Sequence, residues 1–206
     1  MTKEFLINEL KAQGVLNYRP LALAIEKIDR KDFVPKEYLS LAYINHALPL
    51  KHGQTISQPF TVAFMLQLLK PHKNDNVLEV GAGSGWQTAL LAQMVGKKGR
   101  VVAIDRIAEL VELAKTNLLN YGALAERIKF IKGNGVKGFV KEAPYDKIIA
   151  AASAEEIPEA WKTQLKVGGK IVAPVGEAIW EVEKLSGSQF KTIKHPGFVF
   201  VPLITD

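Results

Sequence analysis

Hydrophobic and polar positions in the middle of the chain follow two alternating patterns. Short apolar runs predict buried strands at 76–80, 100–105, 127–132, 146–151 and 169–174. Apolar residues at helical spacing predict intervening helices at 86–95, 107–121 and 158–165. Strands that alternate with helices are joined by right-handed crossovers, so the pattern predicts a parallel sheet with helices on both faces.

The two ends of the chain differ from this central pattern. The first 72 residues contain no convincing strand and predict helices at 2–13, at 20–30 and, buried because it is apolar almost all round, at 60–69. Apolar runs near the end predict strands without intervening helices, and therefore an antiparallel edge, at 179–185, 190–194 and 198–204. We therefore predict a single α/β domain over 1–206, doubly wound and mostly parallel, with a helical extension (1–72), a central core (73–176) and C-terminal strands (177–206).

Composition excludes several classes of site. The 206 residues include no cysteine, so neither disulfides nor thiolate metal sites are possible. The histidines show no metal-ligand spacing; they are His46, His52, His72 and His195. No apolar run reaches the roughly 18 residues of a membrane span, and the acidic N-terminal residues do not resemble a signal peptide. We therefore expect a cytoplasmic protein that binds no membrane and no metal.

The net charge of +6 is spread along the chain. No run of five or six basic residues occurs, which favours a solvated lysine-rich surface over a nucleic-acid site.

A glycine-rich loop follows the first predicted strand. Glu79 and Val80 lead into Gly81-Ala82-Gly83-Ser84-Gly85, and Asp105 ends the next strand twenty residues after Gly85. The spacing G-x-G-x-G differs from the G-x-G-x-x-G that seats a pyrophosphate. An acid at position 105 can accept hydrogen bonds from ribose hydroxyls, and Glu79 suits a cationic group. S-adenosylmethionine meets these conditions. In the alternative interpretation, the glycines only form a tight turn and bind no ligand.

A second candidate segment, Gly53–Pro59, lies before the predicted buried helix. Ser57 is a good helix N-cap residue, and this structural interpretation needs no catalytic role. Spacing does not determine whether the segment faces the glycine loop.

These segments together resemble the protein-L-isoaspartate O-methyltransferases. The resemblance covers nearly the whole chain and is carried by Gln54-Thr-Ile-Ser-Gln-Pro59, by the glycine loop 77–85, and by 33–35, 48–50, 143–149, 164–169, 174–176 and 200–203. It implies an S-adenosylmethionine-dependent methyltransferase fold and methylation of the α-carboxylate of L-isoaspartyl residues. Such residues arise from damaged Asn and Asp, so the expected partners are isoaspartyl peptides and unfolded or damaged proteins, with no nucleic acid, and the expected state is a monomer.

The resemblance also implies roles for individual residues. Ser57 corresponds to the active-site serine, Asp105 to the ribose ligand, and Asn134-Gly135 to the residues beside the adenine. The full set of expected cofactor-binding residues is Gln54, Thr55, Glu79, Gly81, Ala82, Gly83, Gly85, Asp105, Arg106, Asn134 and Gly135.

Three positions depart from the family pattern. Asn45 stands where Asp is usual, and Ala47 stands where Pro is common. The chain has Gly133-Asn134-Gly135 where Gly-Asp-Gly is usual. The first two affect the substrate-side loop, and the third affects recognition of adenine.

The reaction needs no strong base, because a carboxylate with a pKa near ~4 is already ionised at neutral pH. We expect catalysis by proximity, with Ser57 orienting the carboxylate.

Four alternatives remain open: a nucleic-acid methyltransferase, although Ala150–Ala154 lacks its stacking loop; a nicotinamide-dependent dehydrogenase; a non-catalytic module; and a related enzyme that esterifies ordinary Asp in a dedicated peptide.

Overall fold

The computed structural model describes residues 1–204. Its strands are β1 Leu48–Pro49, β2 Thr55–Ile56, β3 Asn76–Val80, β4 Arg100–Asp105, β5 Ile128–Lys132, β6 Tyr145–Ala150, β7 Leu165–Val175, β8 Ala178–Lys184 and β9 Phe190–Pro196. Its α-helices are α1 Lys3–Ala12, α2 Arg19–Lys27, α3 Pro59–Leu69, α4 Trp86–Val95, α5 Ala108–Asn117, α6 Gly122–Ala125 and α7 Glu159–Gln164.

Seven strands form one sheet in the order β5-β4-β3-β6-β7-β8-β9. Strands β3 to β7 run parallel to one another, whereas the pairs β7–β8 and β8–β9 are antiparallel. This arrangement confirms the predicted parallel sheet with an antiparallel edge. The chain order reverses at β3, which pairs with both β4 and β6, and such a switch point opens a crevice at the carboxyl ends of the strands.

The sheet is covered on both faces, and the two layers have different origins. The N-terminal helices α1 to α3 and helix α4 pack on one side, where Leu10, Leu21, Leu66 and Leu90 have no exposed surface. Helix α7 packs on the other side with the fully buried Trp161. The first 72 residues therefore share a hydrophobic core with the sheet.

The central elements begin and end where the sequence predicts them, at 76–80, 86–95 and 100–105. Two other predictions are wrong. Residues 48–56 contain the short hairpin β1–β2, whose two-residue strands are too short to produce a periodic pattern. Residues 198–204 form an extended segment rather than a strand, with a single bridge between Pro202 and Ser153. In addition, the helix predicted to continue to residue 121 ends at Asn117 and is followed by a 3₁₀ turn.

The start of helix α3 is held by Asn45, and the predicted cap at Ser57 is wrong. Gln58 occupies the N-cap position without a capping bond from its side chain, so Ser57 lies one residue too early to cap the helix. Instead Asn45 Oδ1 accepts a hydrogen bond from the Phe60 N–H at 2.9 Å. Asn45 Nδ2 donates to Glu9 Oε1 at 3.0 Å, which ties helix α1 to the same point.

Removing this remote cap should lower stability. We expect Asn45→Ala to reduce the free energy of unfolding by about 1 kcal/mol, the usual cost of a lost cap. Asn45→Asp should also destabilise the protein, because it places a carboxylate against the Glu9 carboxylate. Urea denaturation at neutral pH measures both effects.

The double variant Glu9→Gln/Asn45→Asp provides the matched control, because glutamine can donate to the new carboxylate. It should recover most of the stability that Asn45→Asp loses. A double variant no more stable than Asn45→Asp would show that the contact with Glu9 does not determine the residue at position 45.

Candidate active site

A cavity of about 610 Å³ lies at the carboxyl ends of β3 and β4, in the crevice created by the switch point. That volume is within the range of small-molecule and cofactor sites. Three segments that are distant in sequence form its walls: 46–47 with 54–58, the glycine loop at 81–84, and 197–201. The structure therefore answers the question that spacing left open, because the 54–58 segment faces the glycine loop across this cavity.

The glycine loop is fastened to the end of β4. The N–H groups of Gly81 and Ala82 both donate to the Ile104 carbonyl, at 2.8 and 3.2 Å. Gly81 and Gly83 adopt positive φ angles of 88° and 55° and line the cavity together with Ala82. At these φ angles a side chain would strain the backbone, which is why glycine occupies both positions.

Gly85 has a different role from the one its place in the motif implies. It is absent from the cavity wall, and a Cβ added there would lie 3.0 Å from the Ala114 side chain in α5. The third glycine therefore allows α4 and α5 to pack closely.

Asp105 lies at the end of β4 and is nearly buried, with 7% of its surface exposed. Its Oδ2 accepts from the Gly83 N–H and its Oδ1 from the Ile107 N–H, both at 3.0 Å. It lines both the main cavity and an adjoining recess of about 90 Å³. Each carboxylate oxygen keeps further acceptor capacity, so Asp105 can bind a ligand while it holds the loop.

Glu79 lies behind the glycine loop, not at its entrance. It is fully buried in β3, and its Oε1 accepts from Gln87 Nε2 at 3.0 Å, while Oε2 has no partner among the described residues. Burial raises the pKa of Glu79 to about 8, although the neighbouring Thr88 and Gln87 side chains lower it and the nearby Asp105 charge raises it. Glu79 is absent from the cavity wall, whereas its partner Gln87 is part of it.

The adjoining recess contains the remaining predicted residues. Arg106 and Gly135 line it, and the end of the chain closes it through Pro202, Leu203 and Ile204. A Cβ at Gly135 would lie 2.2 Å from Val80 Cγ1, so only glycine fits beside the end of β3. Asn134 is not part of the wall; its Oδ1 accepts from the Val136 N–H at 2.9 Å and shapes the turn.

Ser57 lines the main cavity together with Gln54 and Thr55, the other predicted residues of its segment. The β1–β2 hairpin presents this segment, and its tip includes His52 at the unusual φ of 59°. Within residues 1–204 the Ser57 hydroxyl makes no hydrogen bond to another protein group. It is therefore available to a ligand.

Several residues of the site were not identified as site residues from the sequence. Trp86 lines the cavity, and the cavity's outer wall consists of residues 197–201, which were predicted only as a strand. Arg30 is buried behind Ser57 and donates to its carbonyl at 3.2 Å. Proximity in sequence could not indicate Arg30 or residues 197–201, because they reach the site from distant parts of the chain, whereas Trp86 directly follows the glycine loop.

Two searches of residues 1–204 bear on other kinds of site. No helix in that range is long and apolar enough to cross a bilayer. The same residues contain no cluster of three or more His, Asp or Glu side chains able to hold a metal ion.

Comparison with known proteins identifies the family of this chain. The family model for protein-L-isoaspartate(D-aspartate) O-methyltransferase matches residues 1–206. The protein-L-isoaspartate O-methyltransferase of Methanopyrus kandleri is 42% identical over 206 residues, covering 98% of this chain and 91% of that protein. The enzyme of the same name from Thermococcus onnurineus is 42% identical over 203 residues, covering 96% and 91%.

Solved structures agree. A candidate protein-L-isoaspartate O-methyltransferase from Plasmodium falciparum, in complex with S-adenosyl-L-homocysteine, superposes with a TM-score of 0.89 at 24% identity over the whole of both chains. A second protein-L-isoaspartate O-methyltransferase has a TM-score of 0.88 at 30% identity, covering 98% of this chain and 65% of that one. The sequence resemblance is thus confirmed, and the chain belongs to the protein-L-isoaspartate O-methyltransferase family.

Proposed function

We propose that this protein transfers a methyl group from S-adenosylmethionine to the α-carboxylate of L-isoaspartyl residues in damaged proteins and peptides. The observation that carries the proposal is the single cavity that joins Asp105 and the glycine loop on one side to Ser57 on the other. Such a cavity brings a nucleoside cofactor and a second substrate together. The family match over the whole chain indicates which reaction this is.

The residues fit S-adenosylmethionine. Asp105 can accept hydrogen bonds from ribose hydroxyls, and Gly81 and Gly83 let a ligand approach the backbone. The Glu79 carboxyl is buried behind the loop with one oxygen unpartnered, so a cationic group bound in front of it would favour its ionised form. The recess lined by Arg106, Gly133 and Gly135 suits the flat adenine ring, with Asn134 shaping its turn. Ala82 lines the main cavity, and Gln54 lines both the cavity and the recess, so it can contact both parts of the cofactor.

Catalysis then rests on orientation. Bound S-adenosylmethionine supplies an electrophilic methyl group activated by the sulfonium charge. Ser57 donates a hydrogen bond to the substrate carboxylate and holds one oxygen in line with that methyl group. Residues 197–201 form one wall of the cavity and shield the bound reactants on that side. Holding two reactants in attack geometry is itself a large source of rate enhancement, so no general base is needed.

We further propose that the chain acts as a single domain and as a monomer. The N-terminal extension, the central core and the C-terminal segment of the chain all contribute residues to the cavity wall. The proposed substrates are peptides and unfolded segments that can enter an open cleft. Esterification of ordinary Asp in one dedicated peptide is the competing function.

The direct test uses radiolabelled S-adenosylmethionine and matched peptides that differ only in Asp or isoAsp at one position. We expect label in the isoAsp peptide as a base-labile ester and none in the Asp peptide. Preferential labelling of the Asp peptide would support the competing function instead.

Asp105→Asn should weaken cofactor binding. The substitution removes the charge that strengthens the hydrogen bonds from ribose. It also keeps only one acceptor oxygen, so the amide NH2 faces one of the two backbone N–H groups that Asp105 now binds. We expect the Kd for S-adenosylmethionine to rise at least about tenfold, equivalent to about 1.4 kcal/mol. Isothermal titration calorimetry measures the Kd, and thermal unfolding of the ligand-free variant checks that the fold is intact. An unchanged Kd in a folded variant would refute this role for Asp105.

Glu79 should make stability depend on pH. Its folded-state pKa of about 8 exceeds its ordinary value of 4.5. The stability that the folded protein gains from protonated Glu79 is therefore complete below pH 4.5 and is lost as pH rises through about 8. We therefore expect the free energy of unfolding of the ligand-free protein to fall over this range, and to fall less in Glu79→Gln. Urea denaturation at several pH values tests this, and equal slopes for both proteins would contradict it.

Ser57→Ala should separate catalysis from folding. Because Ser57 does not cap helix α3, we expect an unchanged free energy of unfolding and an unchanged cofactor Kd. Turnover of the isoAsp peptide should fall about tenfold or more, the effect of one lost hydrogen bond to a charged group. If turnover were intact while stability fell, Ser57 would have only a structural role.

A further inference from the structure

Arg30 is a buried cation without a carboxylate partner. It is 2% exposed, and its guanidinium donates to four backbone carbonyls: Ala42 at 2.7 Å, Ile44 at 3.4 Å, His46 at 3.0 Å and Ser57 at 3.2 Å. No Asp or Glu among residues 1–204 forms an ion pair with it. Burial lowers the pKa of Arg30 to about 10, which still leaves it charged at neutral pH.

Two of these carbonyls belong to the wall of the cavity, since His46 and Ser57 both line it. The peptide bonds that follow them are trans, so the N–H groups of Ala47 and Gln58 point away from the guanidinium. Ala47 and Gln58 also line the cavity. By fixing two carbonyls, Arg30 therefore sets the orientation of two peptide groups beside the serine.

The charge itself also lies close to the cavity. The Arg30 Cζ lies 5.3 Å from the centre of the Trp86 ring, and Trp86 is part of the cavity wall. The cation therefore lies against a residue of the cavity wall. The Nε donor of Arg30 has no partner among the described residues.

Burying a charge without a counter-ion is costly, and neutral donors could hold backbone carbonyls without that cost. The cost is offset if an anion binds on the other side of the wall. We propose that Arg30 is a positioning residue for the substrate carboxylate: it orients the peptide groups around Ser57, and its unneutralised charge favours an anionic group there. This inference rests on the proposed function, because it takes the substrate to be the isoaspartyl carboxylate.

The test compares a carboxylate ligand with a neutral one. An isoAsp peptide and the same peptide with its isoaspartyl α-carboxylate replaced by a carboxamide are titrated against the protein saturated with S-adenosylhomocysteine. In Arg30→Met we expect the preference for the carboxylate peptide to fall about tenfold, while the Kd for the carboxamide peptide and for the cofactor product stay unchanged. Arg30→Lys keeps the charge and should retain most of that preference. In turnover, Arg30→Met should raise KM more than it lowers kcat.

Arg127→Met is the matched control, because Arg127 also donates to a backbone carbonyl, that of Ala92, far from this wall. It should leave the preference unchanged. Two outcomes would overturn the proposal and show that the arginine is purely structural. In the first, Arg30→Met weakens binding of both peptides equally. In the second, Arg30→Lys and Arg30→Met lose the preference for the carboxylate peptide equally. If Arg30→Met does not fold, loss of the preference for the carboxylate peptide in folded Arg30→Lys would likewise overturn the proposal. Absence of methyl transfer to the isoAsp peptide by the unmodified protein would instead refute the proposed function.

Discussion

The site depends on the attachment of the glycine loop to the end of the neighbouring strand. Gly81 and Ala82 donate to the Ile104 carbonyl, and Gly83 donates to the Asp105 carboxylate. These bonds exist because β3 and β4 are parallel and in register, so their carboxyl ends meet at the same edge of the sheet. The same carboxylate that would hold the ribose therefore also fixes the loop, and the cavity is shaped before any ligand enters.

Two buried ionisable groups lie on opposite sides of that cavity, and neither forms an ion pair within residues 1–204. Glu79 lies behind the glycine loop, and Arg30 lies behind the serine segment. In the proposed reaction a sulfonium cation and a carboxylate anion become a neutral thioether and a neutral ester. Fixed charges that favour the two ions favour their binding more than the transition state, in which both charges are diminishing. Rate enhancement must therefore come from the alignment of the two reactants.

The sequence predicted the parts of the fold that have strong local patterns. The strands at 76–80 and 100–105 and the helix at 86–95 have continuous apolar runs and glycine boundaries, and the structure matches them. The two-residue strands of the β1–β2 hairpin and the extended segment 198–204 have no such pattern, because tertiary contacts determine their conformation. The same distinction applies within the site, where Asp105 was found by its position after a strand. Arg30 could not be found in this way, since nothing in its local sequence indicates where it lies in the fold, whereas Trp86 directly follows the glycine loop and could have been found.

The departures from the family pattern become understandable when their neighbours are considered. Asn45 both accepts from Phe60 and donates to Glu9, which an ionised Asp cannot do, so an Asp at this position would need a different residue at position 9. Asn134 uses its Oδ1 to accept from the Val136 N–H, a bond that an Asp oxygen would make equally well. The turn that presents Gly135 to the recess therefore does not require the carboxylate. Both substitutions preserve the backbone of the site, and what they change is the charge that the surrounding side chains must accommodate.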